Sequence, residues 1–180
     1  MKSIILAGGC FWGLQKFFDQ FEGLKTETGY VNGQTSQVSY QQVCAGSGHA
    51  EAVKIEYPDS IDLGQILAAY FAAVDPTSLN RQGNDVGINY RTGIYVTSAH
   101  DAQIAKAMLT DLQKHFDQPI QIEIRELKNY CPAEDYHQKY LDKNPGGYCH
   151  LPKWLLTGHV LPSESEVLKS YPSLETVLSE

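Results

Sequence analysis

The sequence predicts a two-layer α/β domain, and three observations support this fold class. The chain has 180 residues, which is the usual length of one compact domain. Up to residue 127, apolar runs with the period of a strand alternate with runs that have the period of a helix. After residue 127, prolines and glycines leave room only for short helices. We therefore expect a single core and a coiled tail that packs against it.

The predicted elements follow one another along the chain. A β-prone run at 3–7 ends at Gly8 and Gly9, which predicts a buried strand followed by a tight turn. The apolar residues after this turn recur at helical spacing and predict a helix that starts beside Cys10. Further elements are predicted as strands at 24–31, 49–57, 93–97 and 120–124, helices at 63–74 and 100–116, a polar loop at 75–91, and short tail helices around 133–141 and 163–170.

Charge and hydropathy argue against several classes of protein. The chain carries 14 Lys and Arg and 21 Asp and Glu, for a formal net charge of −7, so we expect no binding to nucleic acid. No apolar run approaches the ~18 residues of a membrane-spanning helix. The apolar stretch at 4–7 is also shorter than the hydrophobic region of an export signal. We expect a cytoplasmic protein that does not bind membranes.

The four cysteines, Cys10, Cys44, Cys131 and Cys149, are too few and too widely spaced for a disulfide scaffold. Cys10 lies at a predicted helix N-terminus, where the helix dipole should lower a thiol pKa by up to about 1.5 units. The thiolate is the nucleophilic form of cysteine, so Cys10 is a candidate nucleophile. From its position alone, an inert buried thiol is an equal alternative.

Phe11 and Trp12 directly follow Cys10. They are either core aromatics or the walls of a pocket beside the sulfur that accepts a small apolar group such as a methyl.

Other interpretations of these residues are open. Glu134-x-x-His137 has the helical spacing of a carboxylate-bridged metal motif, but a second copy and partner glutamates are missing, so we expect no metal. Cys10 with His49 or His137 as its base would make a Cys-His acyl hydrolase, which turns over without a reductant. A redox-responsive binding module, in which oxidation of Cys10 changes the contacts of the aromatic residues after it, would consume no substrate.

The segment Gly9-Cys10-Phe11-Trp12-Gly13 resembles the active-site signature of the peptide methionine-(S)-sulfoxide reductases, the A-type methionine sulfoxide reductases. The resemblance continues up to about residue 149. It includes the segments GY at 29–30, VCAGSGHAE at 43–51, DPT at 75–77, RQGNDVG at 81–87, YR at 90–91 and AEDYHQ at 133–138.

The resemblance implies an α+β fold, a two-layer plait of the ferredoxin-like kind with a mainly antiparallel sheet and a long coiled C-terminal tail. It implies one catalytic domain over 1–180, with a core at about 1–128 and a tail at about 129–180 that carries a resolving-cysteine loop. The implied activity is reduction of the S epimer of methionine sulfoxide, protein-bound or free, to methionine. Thioredoxin, or dithiothreitol in vitro, would be the external reductant, with no bound cofactor. We expect a monomer.

The resemblance also implies roles for the reacting groups. Cys10 would be the nucleophile that becomes a sulfenic acid, and Glu51 would be the general acid. Cys149 would attack the sulfenic acid and form a Cys10–Cys149 disulfide, which thioredoxin reduces. Without the resemblance, a solvent-facing strand carboxylate is the more ordinary interpretation of Glu51.

Substrate contacts are implied in the same way. Tyr40 and Tyr90 match two tyrosines that bind the sulfoxide oxygen, and Asp85 matches an aspartate that organises the site. Phe11 and Trp12, which lie within the matched signature, are the candidate substrate-binding residues.

The remaining cysteines have less defined expectations. Cys44 is expected to be a buried structural thiol because apolar residues flank it. Cys131 is expected to be structural as well. The alternative is that it competes with Cys149 as the resolving cysteine.

Overall fold

The structure is a computed structural model that describes residues 1–179. These residues form a mixed α/β fold with a six-stranded sheet and a separate two-stranded hairpin. The strands are β1 (Lys2–Gly8), β2 (Lys25–Val31), β3 (Ala50–Tyr57), β4 (Arg81–Gln82), β5 (Asp85–Val86), β6 (Thr92–Val96), β7 (Glu123–Glu126) and β8 (Tyr130–Pro132). The helices are α1 (Phe11–Asp19), α2 (Tyr40–Cys44), α3 (Leu63–Ala73), α4 (Ala99–Gln113), α5 (Tyr140–Lys143), α6 (Glu164–Ser170) and α7 (Leu174–Leu178). Short 3-10 turns lie at Ile88–Tyr90, Asp135–His137 and Lys153–Leu155.

The large sheet has the strand order β7-β6-β1-β3-β2-β8. β1 pairs antiparallel with β3 and β6, and β2 pairs antiparallel with β3 and β8. β6 and β7 are parallel, which makes the sheet mixed. A parallel pair needs a crossover connection, and α4 lies between these two strands in the chain.

The main core lies on one face of this sheet, against α1, α3 and α4. β1 shows how alternation divides the sequence between two faces, because Ile4 and Leu6 join the main cluster and Ile5 and Ala7 join a smaller one on the other face. The tail joins the main cluster through buried side chains such as Leu155. Among residues 1–179, no helix is long and apolar enough to cross a bilayer.

Two differences from the predicted elements have local causes. The predicted polar loop at 75–91 contains the β4–β5 hairpin, whose turn includes Gly83 with a φ of +60°. The predicted strand at 120–124 starts later, at Glu123. Its first residues are held elsewhere, since the backbone N–H of Gln121 donates to the carbonyl of Pro76.

The structure also contains a helix that the sequence analysis did not predict. α2 begins after Ser39, whose hydroxyl accepts a hydrogen bond from the backbone N–H of Gln42 while the Gln42 side chain bonds back to the Ser39 N–H. This capping box stabilises a helix of only 5 residues, too short to show a helical period.

Candidate active site

Cys10 lies at the junction of β1 and α1, where the sequence placed it. The turn depends on Gly9, which has a φ of +83°, and a Cβ at this position would lie 2.6 Å from the Cβ of Gln82. Cys10 is the N-cap residue of α1, and its side chain is 7% exposed. The strand-turn-helix arrangement therefore directs the thiol into the protein.

The expected lowering of the Cys10 pKa is wrong. Burial raises the pKa of this thiol far above its ordinary value, and the nearby Glu51 raises it further. The backbone N–H of Trp12 bonds to the sulfur and lowers the pKa, as a helix N-terminus should, but desolvation outweighs it. Cys10 therefore rests as a neutral thiol.

Glu51 lies on β3 opposite Tyr30 of β2, and it is only 1% exposed. Its Oε1 accepts a hydrogen bond of 3.1 Å from the backbone N–H of Phe11, the residue that follows Cys10. The structure thus excludes a solvent-facing carboxylate and places this carboxyl at the first turn of α1.

The environment of Glu51 favours the protonated carboxyl. Burial is the largest cause, and together with the charge of Asp85 it raises the pKa of Glu51 to about 8. Hydrogen bonds from the Phe11 N–H and the Asn89 side chain oppose this rise without cancelling it. At neutral pH, Glu51 is therefore mostly a carboxylic acid with a proton to donate.

Tyr40 and Tyr90 lie near this carboxyl from two different segments. Tyr40 is the first residue of α2, and Tyr90 ends the 3-10 turn at Ile88–Tyr90. Burial raises the pKa of both phenols, and the charge of Glu51 raises both further. The two hydroxyls therefore remain neutral hydrogen-bond donors.

Phe11 and Trp12 occupy different environments. Phe11 is buried, and its ring packs against those of Tyr30 and His137 at centroid distances of 5.6 and 5.0 Å. Trp12 is partly exposed and stacks on Tyr140 at 3.6 Å, with 10° between the ring planes. The Phe11 ring therefore packs within the core, whereas part of the Trp12 side chain is exposed.

The position of the Trp12 indole is fixed by a residue whose role the sequence did not reveal. Trp12 Nε1 donates a hydrogen bond of 2.9 Å to Nδ1 of His137. The Glu134-x-x-His137 spacing drew attention to this histidine as a metal ligand or a base, and only the fold shows that it contacts Trp12.

Cys149 lies over the first turn of α1, although 139 positions separate it from Cys10 in the chain. A Cβ on Gly13 would lie only 2.9 Å from its Sγ, so a glycine leaves the space that this sulfur occupies. Both cysteines are free thiols, and burial raises the pKa of Cys149. The neighbouring Tyr148 donates a hydrogen bond of 3.0 Å to Asp85, which ties this segment to the hairpin.

The family model described as peptide methionine sulfoxide reductase matches residues 2–163. The chain belongs to this family. It is 52% identical over 153 residues to the peptide methionine sulfoxide reductase MsrA of Lachnoclostridium phytofermentans, which covers 83% of this chain and 92% of the relative.

Solved structures agree with this assignment. The fold is similar to that of reduced Mxr1 from Saccharomyces cerevisiae, with a TM-score of 0.76 and 37% identity over 82% of this chain and 88% of that one. Mxr1 in complex with Trx2 matches with a TM-score of 0.53 and 24% identity over 77% of this chain and 84% of that one, which shows the fold alone.

The two remaining cysteines differ in burial. Cys131 is buried on β8, with its Sγ 3.5 Å from the carbonyl of Val38. Cys44 is exposed, so the expectation of a buried structural thiol is wrong. It follows Val43 in α2, and this short helix buries Val43 and turns Cys44 outward.

Two residues of the alternative interpretations, His49 and Glu134, have other partners. His49 is fully buried, and its two ring nitrogens lie 2.8 Å from the Ser47 hydroxyl and the Thr35 carbonyl. Neither nitrogen is free to act as a base for Cys10. Glu134 accepts hydrogen bonds from the Tyr30 hydroxyl and the Tyr40 backbone. Within residues 1–179, no three His, Cys, Asp or Glu side chains form a group suited to a metal ion.

Proposed function

We propose that this protein reduces the S epimer of methionine sulfoxide, protein-bound or free, to methionine at Cys10. The supporting observation is the 3.1 Å hydrogen bond from the Phe11 N–H to Glu51, which holds a carboxyl with a pKa of about 8 on the helical turn of the Cys10 thiol. A sulfoxide is a poor electrophile because its oxygen must leave with negative charge. A protonated carboxyl beside the nucleophile removes that obstacle.

In the first half of the reaction, the Cys10 sulfur attacks the sulfur of the sulfoxide while Glu51 donates its proton to the oxygen. The thiol proton of Cys10 replaces the proton that Glu51 gives up, which balances the step. The oxygen then passes to the Cys10 sulfur as the bond between the two sulfurs breaks, so methionine leaves as the reduced product and Cys10 becomes a sulfenic acid. Because the thiol and the carboxyl are both buried and neutral at rest, the proton exchange costs no net charge in the site.

The substrate contacts follow from the same arrangement. The neutral hydroxyls of Tyr40 and Tyr90 donate hydrogen bonds to the sulfoxide oxygen, where negative charge develops. Phe11 and Trp12 form the apolar surface against which the methyl group packs. Asp85 organises the site through its charge and through its bond to Tyr148.

In the second half of the reaction, the Cys149 thiol attacks the sulfenic sulfur of Cys10, which releases water and forms a Cys10–Cys149 disulfide. The position of the Cys149 sulfur over Gly13 supports this assignment. A dithiol then reduces the disulfide by exchange and becomes oxidised itself. Thioredoxin fits that role because Mxr1, a relative of this chain, has been solved in complex with Trx2. Dithiothreitol supplies the same chemistry in vitro, and no bound cofactor takes part.

The organisation of the molecule fits a single catalytic unit over 1–180, with the core at about 1–128 and the tail that carries Cys149 at about 129–180. The order β6-β1-β3-β2 at the centre of the sheet, with α1 and α3 on one face, supports a plait of the ferredoxin-like kind. One chain carries every reacting group, so a monomer suffices. Reducing power from thioredoxin fits a compartment such as the cytoplasm.

The test is the loss of the S epimer from a mixed pool of methionine sulfoxides, with thioredoxin as reductant. The wild type is expected to consume only the S epimer, and Cys10→Ser is expected to consume none because a serine hydroxyl cannot form the sulfenic acid. Cys131→Ser is the matched control and should retain activity, because this thiol is buried on β8. Sulfoxide reduction by Cys10→Ser, or turnover of the wild type without any dithiol, would refute the proposal.

A further inference from the structure

We propose that Arg91 is a positioning residue for sulfoxide reduction: its guanidinium fixes the position of Tyr90 relative to Glu51. The inference rests on the proposed function, in which Tyr90 binds the sulfoxide oxygen and Glu51 protonates it. Arg91 directly follows Tyr90 in the chain, and its side chain is 14% exposed.

The Arg91 guanidinium joins four segments of the molecule. Nη1 donates hydrogen bonds to the carbonyls of Gly48, at 3.0 Å, and Ile88, at 2.9 Å. Nη2 lies 3.4 Å from the carbonyl of Asn32, and Nε pairs with Glu123 at 2.6 Å. A single side chain thus links the end of β2, the loop before β3, the 3-10 turn and β7.

The two contacts of Nη1 matter most for the site. Gly48 lies three positions before Glu51, and Ile88 lies two positions before Tyr90. The same nitrogen therefore joins the loop that leads into the Glu51 strand to the turn that presents the Tyr90 hydroxyl. Since Tyr90 lies in a 3-10 turn rather than on the sheet, this cross-link sets its distance from the carboxyl.

The guanidinium is itself held from the opposite side. Glu123 Oε1 accepts hydrogen bonds from Arg91 Nε, at 2.6 Å, and from the Tyr95 hydroxyl, at 2.7 Å. Burial raises the pKa of Glu123, but the bonds from Arg91 and Tyr95 outweigh it and lower the pKa below its ordinary value. Glu123 is therefore ionised, and it forms a partly buried ion pair with Arg91.

A lysine cannot reproduce this arrangement. Arginine presents its donors in a rigid planar fork, and here the fork reaches backbone carbonyls on one side and a carboxylate on the other. The ammonium of lysine is one compact point of charge that can stay with Glu123 while losing the carbonyls. Arg91→Lys thus keeps the charge and removes the cross-link.

The experiment is a double-mutant cycle on Arg91→Lys and Tyr90→Phe, measured as the rate of first methionine release in the absence of reductant. We expect each single variant to lower the rate at saturating sulfoxide by about tenfold, because the lost interaction forms as charge develops on the oxygen. In the Tyr90→Phe background, Arg91→Lys should slow the reaction by no more than about twofold, since it acts through a hydroxyl that is already absent.

Arg125→Lys is the matched control. Arg125 bonds to the same carboxylate, with Nε 3.3 Å from Glu123 Oε2, but its side chain is 68% exposed. This variant should remain within about twofold of the wild-type rate. If Arg91→Lys does not fold, Glu123→Gln removes the opposing charge instead, and its loss of rate should also vanish in the Tyr90→Phe background.

The outcomes separate this inference from the proposed function. A wild-type rate for Arg91→Lys, or losses that multiply in the double variant, would overturn the positioning role while Cys10→Ser remains inactive. Activity of Cys10→Ser would instead overturn the proposed function itself.

Discussion

Cys10 lies in the most constrained part of the molecule, between a central strand and the first turn of α1, whereas Cys149 lies in the tail between α5 and the turn at Lys153–Leu155. Cys10 is 7% exposed and flanked by Glu51 and the N–H groups of the helix. Cys149 is half-buried, and residues 144–150 form neither helix nor strand. The comparison therefore sets a buried thiol in a rigid site against a half-buried thiol in a segment without regular structure.

This difference has a physical reason. Holding Glu51 as an acid near neutral pH requires a dry and rigid site, because desolvation is the largest cause of its raised pKa. Disulfide exchange with a second protein requires a sulfur that can reach the surface. The segment around Cys149 contains Gly146 and Gly147, residues with more backbone freedom than any other type.

The largest effect is expected from Cys149→Ser, which removes the thiol of the tail segment and leaves the buried site around Cys10 intact. The variant should release one methionine per chain at the wild-type rate and then stall, because the Cys10 sulfenic acid has no internal thiol to attack it. Quantifying methionine against time with thioredoxin present measures this burst. Sustained turnover at the wild-type rate would show that Cys149 is not the resolving cysteine.

Glu51→Gln tests the buried acid and is expected to lower the rate of first methionine release by about 100-fold. The raised pKa of about 8 means that the acid form prevails below that pH. The wild-type rate should therefore be flat towards acid and fall about tenfold per pH unit above that value. The pH profile of single-turnover rates measures this, and Glu51→Gln should lose the fall.

The matched control for this variant is Glu56→Gln, a change on the same strand at a side chain that is 43% exposed. It should keep both the wild-type rate and the wild-type pH profile. An unchanged alkaline fall in Glu51→Gln would assign the titration to another group.

Gly13→Ala tests the contact between the first turn of α1 and the tail segment that carries Cys149. Its methyl group would lie 2.9 Å from the Cys149 sulfur and 3.1 Å from Nδ1 of His150, so the tail segment must shift. First methionine release should stay within about twofold of wild type, and formation of the disulfide should slow by several-fold. Rapid-quench mass spectrometry separates the two steps.

Gly146→Ala is the control for Gly13→Ala, because a Cβ at this position meets nothing within 4 Å. It lies in the same tail segment and should leave disulfide formation unchanged. Equal slowing in both variants would mean that flexibility of the segment, rather than the space above α1, controls the step.

Local sequence signals predicted part of this arrangement and missed the part that depends on distant contacts. The strand, the glycine turn and the helix start around Cys10 follow from periodicity within a few residues, and the structure has them. The pKa of Cys10 does not follow from them. The helix N-terminus acts as expected through the Trp12 N–H, but the larger effect comes from burial by segments far away in the chain.

Glu51 and Arg91 show the same limit. Alternation along β3 does not predict which face of the strand packs against α1. The burial of Glu51 therefore follows from the assembled sheet and not from the local sequence. The acceptors of Arg91 are mostly backbone carbonyls, which carry no signature in the sequence. The apolar neighbours of Cys44 predict a buried thiol, but the capped helix α2, which the sequence analysis did not predict, turns its side chain outward.

The most direct test of the account is the protonation state of Glu51, followed by infrared difference spectroscopy between the wild type and Glu51→Gln across the pH range. The carbonyl stretch of a protonated carboxyl should be present at neutral pH and disappear with a midpoint of about 8. A carboxylate signal that is already complete below pH ~6 would contradict the account, because Glu51 would then have no proton to give to the departing oxygen.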